Sequence, residues 1–346
     1  MDYRIFFRTF ILAVLISCQD QNEVGIKVLD VKTDFITLHG NIEFPVITKF
    51  AADIIEIDSL LIVITPFNSD GIFTVFSKYT GREKCIFSKR GNGPGEYIQP
   101  SIHKAGSNVI SLWDTNKRFS EVCLELDEKG ENTFNLLSSK KIDRGGMKVY
   151  RFNNELMISN IHPDKGMFAL FNREGKIIGG YFGKMPLKNT FAGYNRFQGL
   201  TAVSDRQNLF VFGTYDLGYL CAYEIDEMYN PILKWEFFIH QKPFYKITNS
   251  RLKWDEEKHV QGIKGIQLSN DKIIVLYSGK SISLPRNKPE GAFSDKLYLL
   301  DTKGNILKKY KLDIPVLKIH YSERDMALYG ITMTDDWQIV KFNFSL

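Results

Sequence analysis

Asp58-Ser59-Leu60-Leu61-Ile62-Val63 is a polar step followed by an apolar burst, and the phrase returns five more times along the chain. The copies are Ser107-Asn108-Val109-Ile110-Ser111, Asn153-Asn154-Glu155-Leu156-Met157-Ile158, Gln207-Asn208-Leu209-Phe210-Val211, Asn270-Asp271-Lys272-Ile273-Ile274-Val275 and Arg324-Asp325-Met326-Ala327-Leu328-Tyr329. With Leu61, Val109, Leu156, Leu209, Ile273 and Ala327 aligned, the steps are 48, 47, 53, 64 and 54 residues. Short apolar bursts behind turn-forming residues read as strands. A period near 50 residues built from such strands predicts a β-propeller, one four-stranded blade per repeat.

A second phrase, apolar-(Asp/Asn)-x-x-Gly, recurs at Leu126 to Gly130, Phe171 to Gly175 and Leu300 to Gly304, with a looser copy from Phe76 to Gly81. Asp or Asn folds back on its own backbone and Gly accepts positive φ, so each reads as the hairpin turn between the third and fourth strands of a blade. A β-sandwich is the alternative, but it carries no period longer than its turn spacing. The chain is therefore read as an all-β, six-bladed β-propeller with four-stranded antiparallel blades. The blades are expected near residues 52–89, 100–140, 148–182, 197–238, 260–313 and 316–346. The last holds only three strands, and Phe35-Ile36-Thr37-Leu38-His39 is a spare strand before the first. It is expected to complete blade six, so that the ring closes by pairing an N-terminal strand into the C-terminal blade.

The chain has 346 residues, 44% of them hydrophobic and 13% aromatic, enough for a large core. Its N-terminus has the parts of an export signal: Arg4 and Arg8, then an apolar run from Phe10 to Ile16 that is too short to span a bilayer. The run ends in Leu15-Ile16-Ser17-Cys18, which resembles the lipobox of bacterial lipoproteins. On that reading residues 1–17 are a signal peptide, Cys18 is the lipid attachment site, 18–33 is a polar tether and 34–346 is the propeller. A plain secretory signal or a short membrane anchor is the alternative. The formal charge is +5, and removing Arg4, Arg8 and Asp2 leaves +4. The cations are scattered among 40 acidic residues with no basic stripe, which argues against nucleic acid as a partner. Cys85, Cys123 and Cys221 lie in apolar strand patterns and read as packing residues; a Cys85–Cys123 disulfide stays open.

Chain direction alternates within a four-stranded meander, here lettered a to d from the axis outward. The b-to-c turns and d-to-next-a connections therefore emerge on one face, and the a-to-b and c-to-d turns on the other. The long connections, residues 88–97, 183–196, 240–259 and 279–295, all fall on the first face. Long excursions on one end of a rigid scaffold are where binding concentrates. The candidate binding residues there are Asn92, Glu96, Tyr97, Lys188, Tyr194, Arg196, Lys253, Trp254, Lys280 and Arg286.

Arg90-Gly91-Asn92-Gly93-Pro94-Gly95-Glu96-Tyr97 is glycine-rich, but Pro94 removes a donor and no Lys-Ser/Thr follows, so it is read as a rigid crossover and not a phosphate cradle. It is expected to fix Glu96 and Tyr97 near the central channel. The histidines, His39, His103, His162, His240, His259 and His320, show no metal-ligand spacing, and no Gly-x-Ser-x-Gly elbow nominates a nucleophile. No cofactor and no catalytic residue is expected. The aromatic stretch from Trp235 to Trp254 is expected to pack the edge of blades four and five, with some rings available to a partner or a sugar.

The string Gly91-Asn92-Gly93-Pro94-Gly95-Glu96-Tyr97, the segment Ile274-Val275-Leu276-Tyr277-Ser278-Gly279 and the ending Leu328-Tyr329-Gly330-Ile331 to Trp337-Gln338-Ile339-Val340-Lys341-Phe342 resemble TolB-like six-bladed β-propeller lipoproteins of Gram-negative bacteria. The resemblance covers residue 34 to the end together with the lipobox. It implies the fold and a cell-envelope address, and it assigns a role only to Cys18. The expected protein is an exported module, lipid-anchored in the outer membrane, that binds an envelope protein or glycan through its long-loop face. The competing reading is a hydrolase or lyase with a metal in the central channel, although the inner segments 52–56, 199–203 and 264–268 carry few converging acids.

Overall fold

Six four-stranded meanders stand around one axis, each presenting its first strand to the centre. The computed structural model describes residues 26–29, 34–126, 132–142, 146, 148–153, 156–160, 166–184, 197–248, 251–285 and 288–346. Blade one is Asp53–Ile57, Leu60–Ile64, Phe73–Ser77 and Glu83–Phe87. The inner strands of blades two to six are Ser101–Lys104, Val149–Phe152, Gly199–Ser204, Ile263–Ser269 and Lys318–Ser322. These blades coincide with the sequence repeats to within a few residues.

Each blade is buried on both faces, so its middle strands read as unbroken apolar runs: Leu60–Ile64 and Phe73–Ser77 are buried at every position. Six apolar clusters result, one at each junction between neighbouring blades. Phe168, Phe210 and Phe212 meet edge-on at 4.7 and 4.9 Å between blades three and four. Cys85 is half-buried, Cys123 and Cys221 are buried, and all are free thiols, so they pack and do not pair.

The a-to-b turns explain the polar half of the repeat. Asp58, Asn153, Asn208, Asn270 and Met326 have φ of 51°, 53°, 49°, 52° and 47° in the turns of blades one, three, four, five and six. Asn and Asp tolerate the left-handed region better than other L-residues, which is why they precede the burst. Met326 is the exception, and it is exposed.

The ring closes as expected between the two ends of the chain, but through a different strand. Gly40–Pro45 lies antiparallel to Trp337–Asn343, with Phe44 opposite Ile339. Ile36–Leu38, the strand expected to close the ring, instead runs parallel to Ile306–Val316 as a fifth strand on blade five. The physical difference is burial. Phe44 is 8% exposed and packs at 5.4 Å on Phe76 in the wedge between blades six and one, whereas Ile36 is 54% exposed. Further upstream, Lys27–Leu29 runs parallel to Pro231–Ile239 on blade four, and Ile26 is buried in the cluster beside it. The propeller's outer layer therefore includes Ile26 and Lys27–Leu29, inside the segment read as tether. The N-terminal chain follows the outer edges of blades four, five and six in turn.

Two outcomes follow for stability. Phe44→Ala empties part of a closed wedge and is expected to cost about 3 kcal/mol or more, while Ile36→Ala costs under about 1 kcal/mol; denaturant unfolding of the two variants separates closure from edge cover. Met326→Asn relieves a left-handed methionine and is expected to stabilise by roughly 0.5–1 kcal/mol, read as a rise in melting temperature.

Candidate functional site

The long connections of blades four and five are sewn into one platform around Gln261. Its backbone N–H donates to the Lys280 carbonyl at 2.7 Å, and its carbonyl accepts from Gly279 at 2.9 Å. Its side-chain amide donates to the Ser281 carbonyl at 3.3 Å. Ile282 N–H donates to the His259 carbonyl at 3.1 Å, while Leu217 N–H reaches the Val260 carbonyl at 3.2 Å. Gly262 is required at this junction, because a Cβ there would lie 2.5 Å from the Thr214 carbonyl oxygen. A two-stranded hairpin, Tyr245–Thr248 with Arg251–Trp254, stands on the platform outside the blades. On the same face Ile47 is 92%, Phe67 55% and Phe244 41% exposed.

The crossover from blade one to blade two is rigid, as expected. Arg118 donates from outside the loop to the carbonyls of Asn92 at 2.8 Å, Gly93 at 2.5 Å and Glu96 at 3.3 Å. Inside it, the Glu96 carboxylate accepts from Gly93 N–H at 2.9 Å and fills the space where a Cβ on Gly91 would fall. Glu96 thus occupies the Gly93 N–H, and the Gly91 N–H donates to the Tyr97 carbonyl at 3.1 Å, so neither is free for an anion. Tyr97 is buried, edge-on to Phe73 at 6.0 Å in the wedge between blades one and two. Neither residue lines the channel, contrary to expectation: the loop turns them into the blade junction instead.

Of the other candidates, Asn92 and Lys253 are exposed on the long-loop face. Trp254 is half-buried, packs on the cluster between blades three and four and meets the His259 ring at 5.0 Å. Lys280 donates to the Glu290 carbonyl at 2.8 Å and braces its own loop. Lys188, Tyr194, Arg196 and Arg286 lie outside the described residues. The structure therefore brings Lys253, Trp254 and Lys280 onto one platform, and turns Glu96 and Tyr97 to structural work.

The second candidate is the central channel, a cavity of about 1060 Å³ lined by the inner strands of all six blades. Asp53, Lys264 and Lys318 line it where those strands begin; Asp58, Ser107, Asn108 and Arg324 line it at the a-to-b turns. His103 and Tyr150 face it with their rings 4.3 Å apart. Burial, with help from Lys148 and Lys318, pushes the His103 imidazole down to about 3, so it is neutral at physiological pH. His320 is held neutral in the same way, by burial and then Lys104 and Lys78. Burial alone would raise the Tyr215 phenol, but the Lys148 and Lys318 ammoniums outweigh it and lower the pKa. Sequence reading found the inner strands but not these lysines and rings. Single charges in strands carry no spacing signal, and only the blade period could have registered them against one another.

Beside the channel sits a buried ion triad. Lys78 binds Glu56 and, at 2.8 Å, Asp325. Ser322 donates to Glu56 at 2.8 Å and Tyr329 to Asp325 at 2.7 Å. The triad ties blade one to blade six. Burial works against the Lys78 ammonium, yet its carboxylate partners hold it above the ordinary lysine value. Burial likewise opposes the Asp325 carboxylate, and hydrogen bonds from Lys78 and Tyr329 hold it below the usual range.

Among the described residues no three His, Cys, Asp or Glu side chains converge as a metal site, and no helix is long and apolar enough to cross a membrane. A family model described as TolB-like 6-blade propeller-like matches residues 42–324. Comparison with curated proteins returns no match. Among solved structures, the chain is similar to a Bacteroides fragilis protein classed as exported, with 14% identity and a TM-score of 0.51 over 94% of this chain and 96% of that one. It is also similar to a member of the DUF4221 family from Bacteroides vulgatus, with 11% identity and a TM-score of 0.52 over 89% of this chain and 94% of that one. At these identities the likeness is one of fold.

The triad carries a pH signature. Asp325 has a lowered folded pKa, so its contribution is present above the unfolded value of about 3.9 and is lost as pH falls through the folded one. Lys78→Met leaves Glu56 and Asp325 buried without their cation and is expected to cost about 3–5 kcal/mol at pH 7. That cost shrinks as pH falls from 7 to 4, because the stranded carboxyls can then take up protons. Denaturant unfolding of both proteins across that range measures it; a constant difference would mean the triad contributes only packing.

Proposed function

The chain belongs to the TolB-like six-blade propeller family, and from that premise we propose that it is an exported envelope protein, lipid-anchored in the outer membrane through Cys18, that binds an envelope protein or glycan through its long-loop face. The observation that carries the reading is the platform itself: the connections of blades four and five are hydrogen-bonded into one surface around Gln261. A loop held this way is ordered before its partner arrives and loses less entropy on binding. The face also shows Ile47, Phe67 and Phe244 to solvent, and exposed large apolar side chains on an ordered surface mark contact sites. Phe50 packs against Phe67 with the rings tilted at 51° and their centres 6.2 Å apart.

The basic n-region, the short apolar run and Ser17-Cys18 support the anchor. Two or more acyl chains on one cysteine hold far more firmly than one. Channel catalysis fits less well, because Glu56 and Asp58 are occupied in ion pairs with Lys78 and Arg324.

The two halves of the proposal are tested together. Cys18→Ser is expected to move the protein from the membrane fraction to the soluble envelope fraction; unchanged fractionation would rule out the anchor. Ile47→Ser with Phe67→Ser is expected to abolish crosslinking to envelope partners from a photoreactive residue at Asn92, with the melting temperature within a few degrees of wild type. Retained crosslinks in the folded double variant would exclude this face.

A further inference from the structure

Blade four departs from its neighbours at the turn between its third and fourth strands. In blade five, Asp301 Oδ1 accepts from Lys303 N–H at 2.9 Å and from Asn305 N–H at 2.8 Å, and Gly304 takes the left-handed position with φ of 82°. Blade three places Gly175 there, with φ of 78°. Blade four builds the same turn: Asp226 Oδ1 accepts from Met228 N–H at 2.9 Å and from Asn230 N–H at 2.7 Å. Its left-handed residue, however, is Tyr229, with φ of 63°, and Met228 stands where blade five has Lys303. That backbone conformation is costly for a bulky side chain and open to glycine, so the turn itself gains nothing from tyrosine.

What the substitution gains is an apolar surface. Met228 is 77% exposed, Tyr229 is exposed beside it, and Ile232 and Leu233 are exposed in the outer strand Pro231–Ile239 that follows. No other six-residue stretch among the described residues shows more than two large apolar side chains to solvent, so this is the densest such patch. It is held in place. Tyr229 N–H donates to the Asp226 carbonyl at 3.0 Å, and the Tyr229 carbonyl comes so close to blade three that a Cβ on Gly179 would lie 2.7 Å from it. An ordered patch of this kind marks a contact site.

The N-terminal chain says what covers it. Lys27–Leu29 runs parallel to Phe237–Ile239, so the chain arrives from the Pro231 end of blade four, the end that carries the patch. Cys18 lies nine positions before Lys27. Nine residues reach at most roughly 30–32 Å, so a lipid on Cys18 holds the bilayer surface within that distance of Lys27. The strand from Phe237, opposite Lys27, back to Pro231 covers roughly 20 Å of it in the same direction.

We propose that Met228, Tyr229, Ile232 and Leu233 dock on the lipid surface in which Cys18 is anchored, so that the propeller stands on the rim of blade four. This rests on the Cys18 anchor proposed above. Methionine, isoleucine and leucine enter the boundary between headgroups and acyl chains, and tyrosine sits there with its hydroxyl wet. Four side chains bind a membrane weakly alone, but the anchor makes their docking intramolecular. The platform begins at the other end of the same strand, after Ile239, so docking leaves the long-loop face clear for its partner.

Photocrosslinking tests it. The full chain, carrying a photoreactive amino acid in place of Met228, is irradiated in native membranes and its phospholipid adducts are identified by mass spectrometry. Tyr79, exposed in the corresponding turn of blade one across the ring, is the control position. Lipid adducts are expected at position 228 and not at position 79. With the photoreactive group in place of Ile232, Met228→Ser combined with Leu233→Ser is expected to lose the lipid adduct, with the melting temperature within a few degrees of wild type. High salt is expected to leave the wild-type adduct unchanged, because the contact is apolar. If the chain altered at 228 does not fold, the one altered at 232 decides. Membrane-bound protein with no lipid adduct at 228 or 232, equal adducts at 228 and 79, or adducts to protein alone would overturn the docking and leave the anchor standing. A wild-type chain that fractionates as soluble would overturn the anchor, and the docking with it.

Discussion

Every blade of this protein depends on the pairing of Gly40–Pro45 with Trp337–Asn343. A blade buried on both faces cannot stand alone, since each of its apolar surfaces needs a neighbour. Five of the six junctions join blades that follow one another in sequence; the sixth joins residues almost a full chain length apart. It is made by the closing strand, by the wedge containing Phe44, Phe76, Tyr329 and Ile339, and by Lys78 reaching from blade one to Asp325 of blade six. Without it, two apolar faces and two sheet edges would meet water. The polar triad is therefore placed where the ring has the longest loop to close.

The same N-terminal segment does a second job. Before it closes the ring it lies parallel along blades five and four, through Ile36–Leu38 and Lys27–Leu29. Outer strands are the exposed edges of a propeller, and an added strand satisfies their free N–H and C=O groups. Among the described residues the cover is three residues at each blade, which shields part of each edge.

How much of this could be read in advance depended on the range of the interaction. The blade period was legible because each a-to-b turn is a local event: a left-handed Asp or Asn, then a strand buried on both faces. The c-to-d turns were legible for the same reason, and Gly175 and Gly304 do adopt positive φ there. The identity of the closing strand was not. Phe35 to His39 looks the better strand, being apolar and β-branched, whereas Gly40–Pro45 begins in Gly and ends in Pro. What decides is that Phe44 fills the wedge against blade one, a contact with no local trace. Glu96 and Tyr97 were misplaced for a related reason. Their loop was recognised as rigid, but the side chain that clamps it, Arg118, lies more than twenty residues away in another strand. Lys148, Lys264 and Lys318 come from three different blades, and only the folded ring sets them together.

The two faces of the disc consequently differ in kind. On one, the connections are long, cross-linked by backbone hydrogen bonds and dressed with Ile47, Phe67 and Phe244. On the other, the turns are short, and Arg324 with Asp58 and Arg151 with Glu121 form ion pairs between neighbouring blades. Matched pairs on inner strands hold blades in place, and a substitution there reads out first as stability.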